Sequence, residues 1–319
     1  MLSFTNGRPI AKIKGGEYNG KILNIDTEPE KQNKSKDKKE KKYSSSESDT
    51  ESYSEEYECG CSKCDPRKCL KKACCDDCPY IEYSDEENES SSDSESTESS
   101  SKSEEIDLEI NIEDGSLVPV PNIDSREVVY IAGPAGSGKS TYASLYLENY
   151  KKLFPKNDII IFSRKPSDPV LDRLKPCRFV IDESIVTNPL DITQDLTDGC
   201  CVLFDDTNTF QDDKIKRAVA KLMHDILEIG RSLEVYCVIT SHLINPNERK
   251  DARTIWNEAH TVTIFPKSGN RHGIKYALQN YCGFDRKDIE KILKLPSRWV
   301  TIGKQYPLYI MHEHGAYIN

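Results

Sequence analysis

Nine consecutive residues carry the most specific chemistry in the chain: Gly133, Pro134, Ala135, Gly136, Ser137, Gly138, Lys139, Ser140 and Thr141. They fit the pattern G-x4-G-K-[ST]. In that pattern glycines let a loop wrap so that successive backbone N–H groups face phosphate oxygens. A helix opening at the end of the loop adds the positive end of its dipole. Lys139 is therefore expected to reach the β- and γ-phosphates of ATP, and the Ser140 hydroxyl to bind Mg²⁺. A second group would complete the chemistry. An apolar run at 200–204 ends in Asp205 and Asp206. Asp205 is expected to hold Mg²⁺ through water, and Asp206 to orient or deprotonate an attacking water. The competing reading of Asp206 is a cap on the next segment.

Three further positions are weaker candidates. The apolar run 235–240 ends in Ser241 and His242, where a polar side chain can sense the γ-phosphate; a surface histidine is the alternative. Gly230-Arg231 precedes that run, and Arg231 reads either as a finger reaching a neighbouring subunit's γ-phosphate or as a helix-terminal arginine. Basic stretches at 247–253 and 266–275 read as loops, either solvated or touching nucleic-acid phosphates. Ser297-Arg298-Trp299 suggests no role, and Trp299 reads as packing.

These residues need a scaffold, and the pattern of the chain supplies one. Apolar runs at 128–132, 158–162, 178–181, 200–204, 235–240 and 261–265 alternate with helical patterns at 139–153 and 213–229. In the latter, Ile215, Val219, Leu222, Met223, Ile226 and Leu227 form one stripe. Continuously apolar strands separated by helices predict an α/β P-loop NTPase fold, with a mainly parallel sheet sandwiched by helices. That domain is assigned to 126–319.

The first 125 residues differ in kind. They hold 17 Lys+Arg against 30 Asp+Glu, a balance of −13, and the remainder hold 27 against 24, or +3, together the chain's −10. Bulk charge thus argues against a strongly basic nucleic-acid binder. Residues 1–26 predict a small β-hairpin segment, and 106–125 a β-hairpin lead-in with a turn at Asp114-Gly115. Between them, 27–105 is a Lys-, Glu- and Ser-rich region expected to be disordered, with an acidic serine tract at 84–105. Seven of the 12 cysteines fall at 59–78. Cys61, Cys64, Cys75 and Cys78 form two CxxC pairs that suit Zn²⁺, and a cysteine-rich stretch with no fixed metal is the alternative. No apolar run approaches a membrane span, and residues 1–16 lack a secretory core. An intracellular, reducing setting without membrane partners is the expectation.

The segments IAGPAGSGKST, VLFDDTN and ILEIGRSLEVYCVITSH, taken in order, resemble the packaging-ATPase branch of the FtsK–HerA superfamily in nucleocytoplasmic large DNA viruses. The resemblance spans 128–265, and the branch often carries Gln where this chain has Ser241 and His242. It implies an ATPase of the additional-strand class that acts on double-stranded DNA, with genome packaging as the task. It also implies a homo-oligomeric ring, and a setting in the host cytoplasm, viral factory or virion. Two other readings of the residues stay open: a small-molecule or nucleotide kinase, and an ATP-dependent switch with a cysteine-rich recruitment tail.

Overall fold

Strands form where β-branched and aromatic residues cluster, and helices where apolar residues recur every three or four positions. A computed structural model describes residues 1–26, 109–207, 210–245 and 250–319, which belong to one compact unit. The CxxC pairs and the acidic serine tract lie outside the described residues.

In chain order the elements begin with β1 (Leu2–Ser3), β2 (Arg8–Lys14), β3 (Ile22–Ile25), β4 (Glu109–Asn111), β5 (Ser116–Pro119) and β6 (Val128–Ala132). Helix α1 (Lys139–Leu153), β7 (Ile159–Ser163), β8 (Cys177–Val180), α2 (Ser184–Thr187), α3 (Ile192–Asp195) and β9 (Cys201–Asp205) follow. Next come α4 (Asp213–Glu228), β10 (Tyr236–Ser241), α5 (Lys250–Glu258), β11 (Thr261–Ile264), α6 (Arg271–Tyr281) and α7 (Arg286–Lys294). The chain ends in β12 (Val300–Gly303), β13 (Tyr309–His312) and β14 (Gly315–Ile318).

Ten strands make the main sheet, in the order β4-β14-β13-β12-β11-β6-β10-β9-β7-β8. From β11 to β8 every pairing is parallel, and from β4 to β11 every pairing is antiparallel. The parallel half matches the expected mainly parallel α/β sheet. The antiparallel half has no counterpart in the sequence reading, because β12 to β14 are four residues each and carry little periodicity.

The central parallel strands β6, β9 and β10 are buried along their whole length. Both faces are covered, so two cores form on either side of the sheet. Helix α4 covers one face with Val219, Leu222, Met223, Ile226 and Leu227. Its start is fixed by Asp212, whose side chain accepts from the N–H groups of Lys214 and Ile215, a cap worth about 1 kcal/mol. Its end is fixed by Arg126, whose guanidinium donates to the carbonyls of Ile226 at 2.8 Å and Leu227 at 2.6 Å.

On the other face α1 buries Tyr142, Ala143, Tyr146, Leu147 and Tyr150. A separate four-stranded sheet, β1-β3-β2-β5, shares this core through Ile10, Ile13, Leu23 and Leu117. The β2–β3 hairpin expected near the start is present, and its apolar residues are part of the core. The lead-in hairpin at 106–125 is corrected. Strand β4 pairs with β14 in the large sheet, whereas β5 pairs with β2 in the small one. Two more corrections concern the basic stretches. Residues from Lys250 onward form α5, and those from Arg271 onward form α6, so neither stretch is a loop throughout.

Candidate nucleotide-binding site

Strand β6 lies between β11 and β10, and residues 133–138 leave its carboxyl end to open α1. The carboxyl ends of parallel strands are where α/β folds bind ligands. The loop needs its glycines for two reasons. A Cβ at Gly133 would stand 2.6 Å from Phe265 Cδ2 and 2.7 Å from Ser137 Oγ. Gly138, at φ +111°, adopts a left-handed conformation at the helix N-cap. The loop is tied to the neighbouring strand by the Gly133 N–H, which donates to the Ser241 carbonyl at 3.0 Å.

Lys139 begins α1 and is only 5% exposed. Its ammonium curls back into the loop and donates to the carbonyls of Gly133 at 3.0 Å and Pro134 at 3.2 Å. Asp206 Oδ1 lies 3.6 Å away, an ion pair beyond hydrogen-bond length. Burial holds this ammonium below the usual lysine value, with Asp206 and Asp205 opposing the shift. A buried cation held chiefly by neutral oxygens is a site for an anion. The hydroxyl of Ser137, also buried, has no hydrogen-bond partner among the described residues. Unused donor capacity of this kind suits phosphate.

Asp205 ends β9 and is 2% exposed. Ser163, at the end of β7, donates to its Oδ2 at 3.1 Å, and Thr240, near the end of β10, donates to its Oδ1 at 3.1 Å. Burial pushes this carboxyl above the usual range and the Asp206 charge adds to that, while Lys165 and the two hydroxyls pull it down. Asp206 has φ +48°, an uncommon value for a residue with a side chain. That turn is fixed by its N–H, which donates to Thr240 Oγ1 at 2.9 Å. One threonine hydroxyl therefore holds both acids in place. His242 closes the cluster, with Nε2 3.1 Å from Asp206 Oδ2 and Nδ1 3.4 Å from the Lys139 ammonium.

Lys139, Asp205 and Asp206 are thus brought together, along with the loop 133–138 and with Ser140 and Thr141 in the first turn of α1. Ser241 is adjacent, but its Oγ accepts from the Leu243 N–H at 2.9 Å. His242 touches both Asp206 and Lys139. Arg231 is elsewhere. It lies exposed in the turn before β10, and β10 runs parallel to β6. It therefore sits at the amino end of the sheet, about 20 Å, the length of a six-residue strand, from the loop. It cannot reach the triphosphate position of its own chain.

Ser163 and Thr240 were not legible in the sequence, because a hydroxyl residue inside an apolar run looks like an ordinary strand position. As for metals, no group of three or more His, Cys, Asp or Glu side chains able to hold an ion occurs among the described residues. Mg²⁺ in phosphate-transfer sites is held by one or two carboxylates together with substrate phosphates. A single buried carboxylate, Asp205, together with the Ser140 hydroxyl in the first turn of α1, fits that ligand set. No helix among the described residues is long and apolar enough to cross a membrane.

No protein-family model matches the chain. Protein V3 of the Sputnik virophage is 48% identical over 208 residues, which cover 65% of this chain and 83% of the virophage protein. This chain belongs to the family of virophage protein V3. Solved structures similar to this V3-family chain include the genome packaging NTPase B204 of Sulfolobus turreted icosahedral virus 2 in complex with AMPPCP. It is 13% identical and overlaps 58% of this chain and 96% of its own, at a TM-score of 0.38. The pCW3 conjugation coupling protein TcpA, in monomer form with ATPγS, is 10% identical and overlaps 66% of this chain and 67% of its own, at a TM-score of 0.41. Both overlaps leave a third or more of this chain uncovered, and the P-loop NTPase fold of this V3-family member stands on its own strand order and loop.

Proposed function

We propose that this chain binds ATP with Mg²⁺, hydrolyses it, and couples turnover to work on double-stranded DNA. The observation that carries the binding step is the buried Lys139 ammonium, held by two loop carbonyls beside Asp206 at the mouth of α1. A triphosphate would supply the anionic partner that those neutral oxygens replace. Ser140 and Asp205 are the residues that would hold Mg²⁺, which would draw charge from the phosphate oxygens. Asp206 and His242, 3.1 Å apart, would orient water and accept its proton.

Hydrolysis is favoured over phosphoryl transfer to a small acceptor by the strand order. Strand β10 intervenes between β6, which carries the loop, and β9, which carries the acids. That is the arrangement of the additional-strand ATPases to which the motif order points. Genome packaging and coupling to DNA rest on the same motif order. Arg231, exposed at the opposite end of the sheet, would act on a triphosphate only in trans, in a homo-oligomeric ring, and otherwise is an ordinary arginine after a helix.

The test is ATP turnover with and without double-stranded DNA. The expected result is turnover that rises with DNA and falls at least 100-fold in Asp206→Asn. Absence of turnover in both conditions would defeat the hydrolase reading. Turnover indifferent to DNA would defeat the coupling, and phosphate transfer to a nucleoside monophosphate would favour a kinase. Mixing Arg231→Ala with Asp206→Asn chains tests the ring, which predicts recovered activity.

A further inference from the structure

The arginine beside the loop is Arg298. A Cβ built at Gly138 would lie 3.9 Å from Arg298 Cδ and 3.6 Å from Phe265 Cε1. The aliphatic stem of Arg298 thus runs beside the last residue of the phosphate-cradling loop, with a guanidinium still to extend beyond Cδ. The backbone on both sides is fixed. The buried Ser297 hydroxyl donates to the Trp299 carbonyl at 2.6 Å and accepts from the Glu313 N–H at 3.1 Å. The Trp299 ring packs edge-on against Tyr142 of α1, with centroids 5.0 Å apart. The Tyr142 hydroxyl bonds Thr301 Oγ1 at 2.7 Å, and Thr301 bonds Thr263 Oγ1 at 2.8 Å. Helix α1, β12 and β11 are therefore clamped together around the position of Arg298. Among the described residues its guanidinium has no hydrogen bond or ion pair, and the side chain is exposed.

The side from which Arg298 approaches fixes what it can touch. Lys139, Asp205, Asp206 and His242 mark the γ-phosphate end of the loop, toward β10 and β9. Arg298 and Phe265 stand on the opposite flank, toward β11 and β12. We propose that Arg298 binds the nucleoside side of the nucleotide, at its α-phosphate and base, and takes no part in γ-phosphate chemistry. This inference rests on the nucleotide-binding reading above. A planar guanidinium suits both contacts, since it can pair with phosphate oxygens bidentately and can stack on a flat ring. It also accounts for the pinned Ser297–Trp299 segment, which holds an otherwise solvated side chain against the loop.

The test uses fluorescently labelled ADP and ATPγS on the full chain, with ATP turnover alongside. Wild type should bind both, and Lys139→Ala should bind neither. Arg298→Ala should weaken ADP and ATPγS alike by about ten-fold, the size of one charged hydrogen bond. Its KM for ATP should rise by the same factor while kcat stays within about two-fold. Arg298→Lys should recover only part of the loss, because an ammonium lacks the planar fork. Arg298 is exposed, so the melting temperature of both variants should match wild type. ADP bound by Arg298→Ala as tightly as by wild type would overturn the inference. So would a fall in kcat with ADP affinity unchanged, which marks a γ-phosphate finger instead. Wild type that binds no ADP would overturn the nucleotide reading itself, and this inference with it.

Discussion

The two ends of the parallel sheet both bury charge, yet they hold it in opposite ways. At the amino end Glu127 is 8% exposed and fully engaged. It accepts from the Tyr146 hydroxyl at 2.9 Å, the Asn122 N–H at 3.2 Å and the Thr261 hydroxyl at 3.1 Å. Arg126 beside it is bound to the last carbonyls of α4. At the carboxyl end the Lys139 ammonium rests on two loop carbonyls with its carboxylate partner 3.6 Å away. The first arrangement leaves nothing for a ligand to add. The second leaves a cation whose best partner is still to come. Equal burial therefore marks structure at one end and binding at the other, and the decisive difference is whether each polar atom is already matched.

Substitutions at the two ends should separate along that line. The largest stability effect is expected from Glu127→Leu, which strands three buried donors and should cost about 3 kcal/mol. Denaturant unfolding measures it, and nucleotide affinity of the folded fraction should be unchanged. A neutral outcome would mean that the amino end is not the matched one. His242→Ala should lower kcat by about 10- to 100-fold while ADP affinity holds, read from steady-state turnover beside binding. Loss of affinity with kcat intact would move His242 from the reaction to the binding of substrate.

Asp205→Asn is expected to do the reverse of Glu127→Leu. The Asp205 carboxyl is raised from an ordinary 3.8 by burial and by Asp206. The folded chain thus keeps this proton to higher pH than the unfolded chain, and stability in the absence of ligand falls as pH rises through that window. Asparagine removes the buried charge. The melting temperature at neutral pH should rise by a few degrees, at about 2–4 °C per kcal/mol for a domain of this size, and its slope with pH should flatten. ATP turnover should disappear. A lower melting temperature would show that the hydroxyls of Ser163 and Thr240 outweigh the cost of burial.

How much of this was legible beforehand depended on the range of the interactions. The loop 133–141 is a local pattern with a local mechanical reason, and α1 begins at the lysine that the pattern names. Asp205 and Asp206 were marked by an apolar run that stops at a charge. The contacts that finish the site are not local. Ser163, Thr240 and His242 converge on the acids from β7, β10 and the turn after β10, across 35 to 42 residues for the hydroxyls. Arg298 reaches the loop from a segment 160 positions further on, where no periodicity marks it. Arg231 shows the converse. Its neighbour Gly230 and its place before an apolar strand suggested either a finger for a neighbouring subunit's phosphate or a helix-terminal arginine, and the parallel strand puts it at the end of the sheet opposite its own loop. The β12–β14 meander went unseen because its strands are short and are defined by their partners.

The proposed function depends on the loop gripping phosphate through Lys139. Calorimetric titration of ADP with Mg²⁺ into wild type and Lys139→Ala tests that grip most directly. Saturable one-to-one binding to wild type and none to the variant, with equal melting temperatures in the absence of ligand, is the predicted result. Equal binding by both chains, or binding by neither, would contradict it.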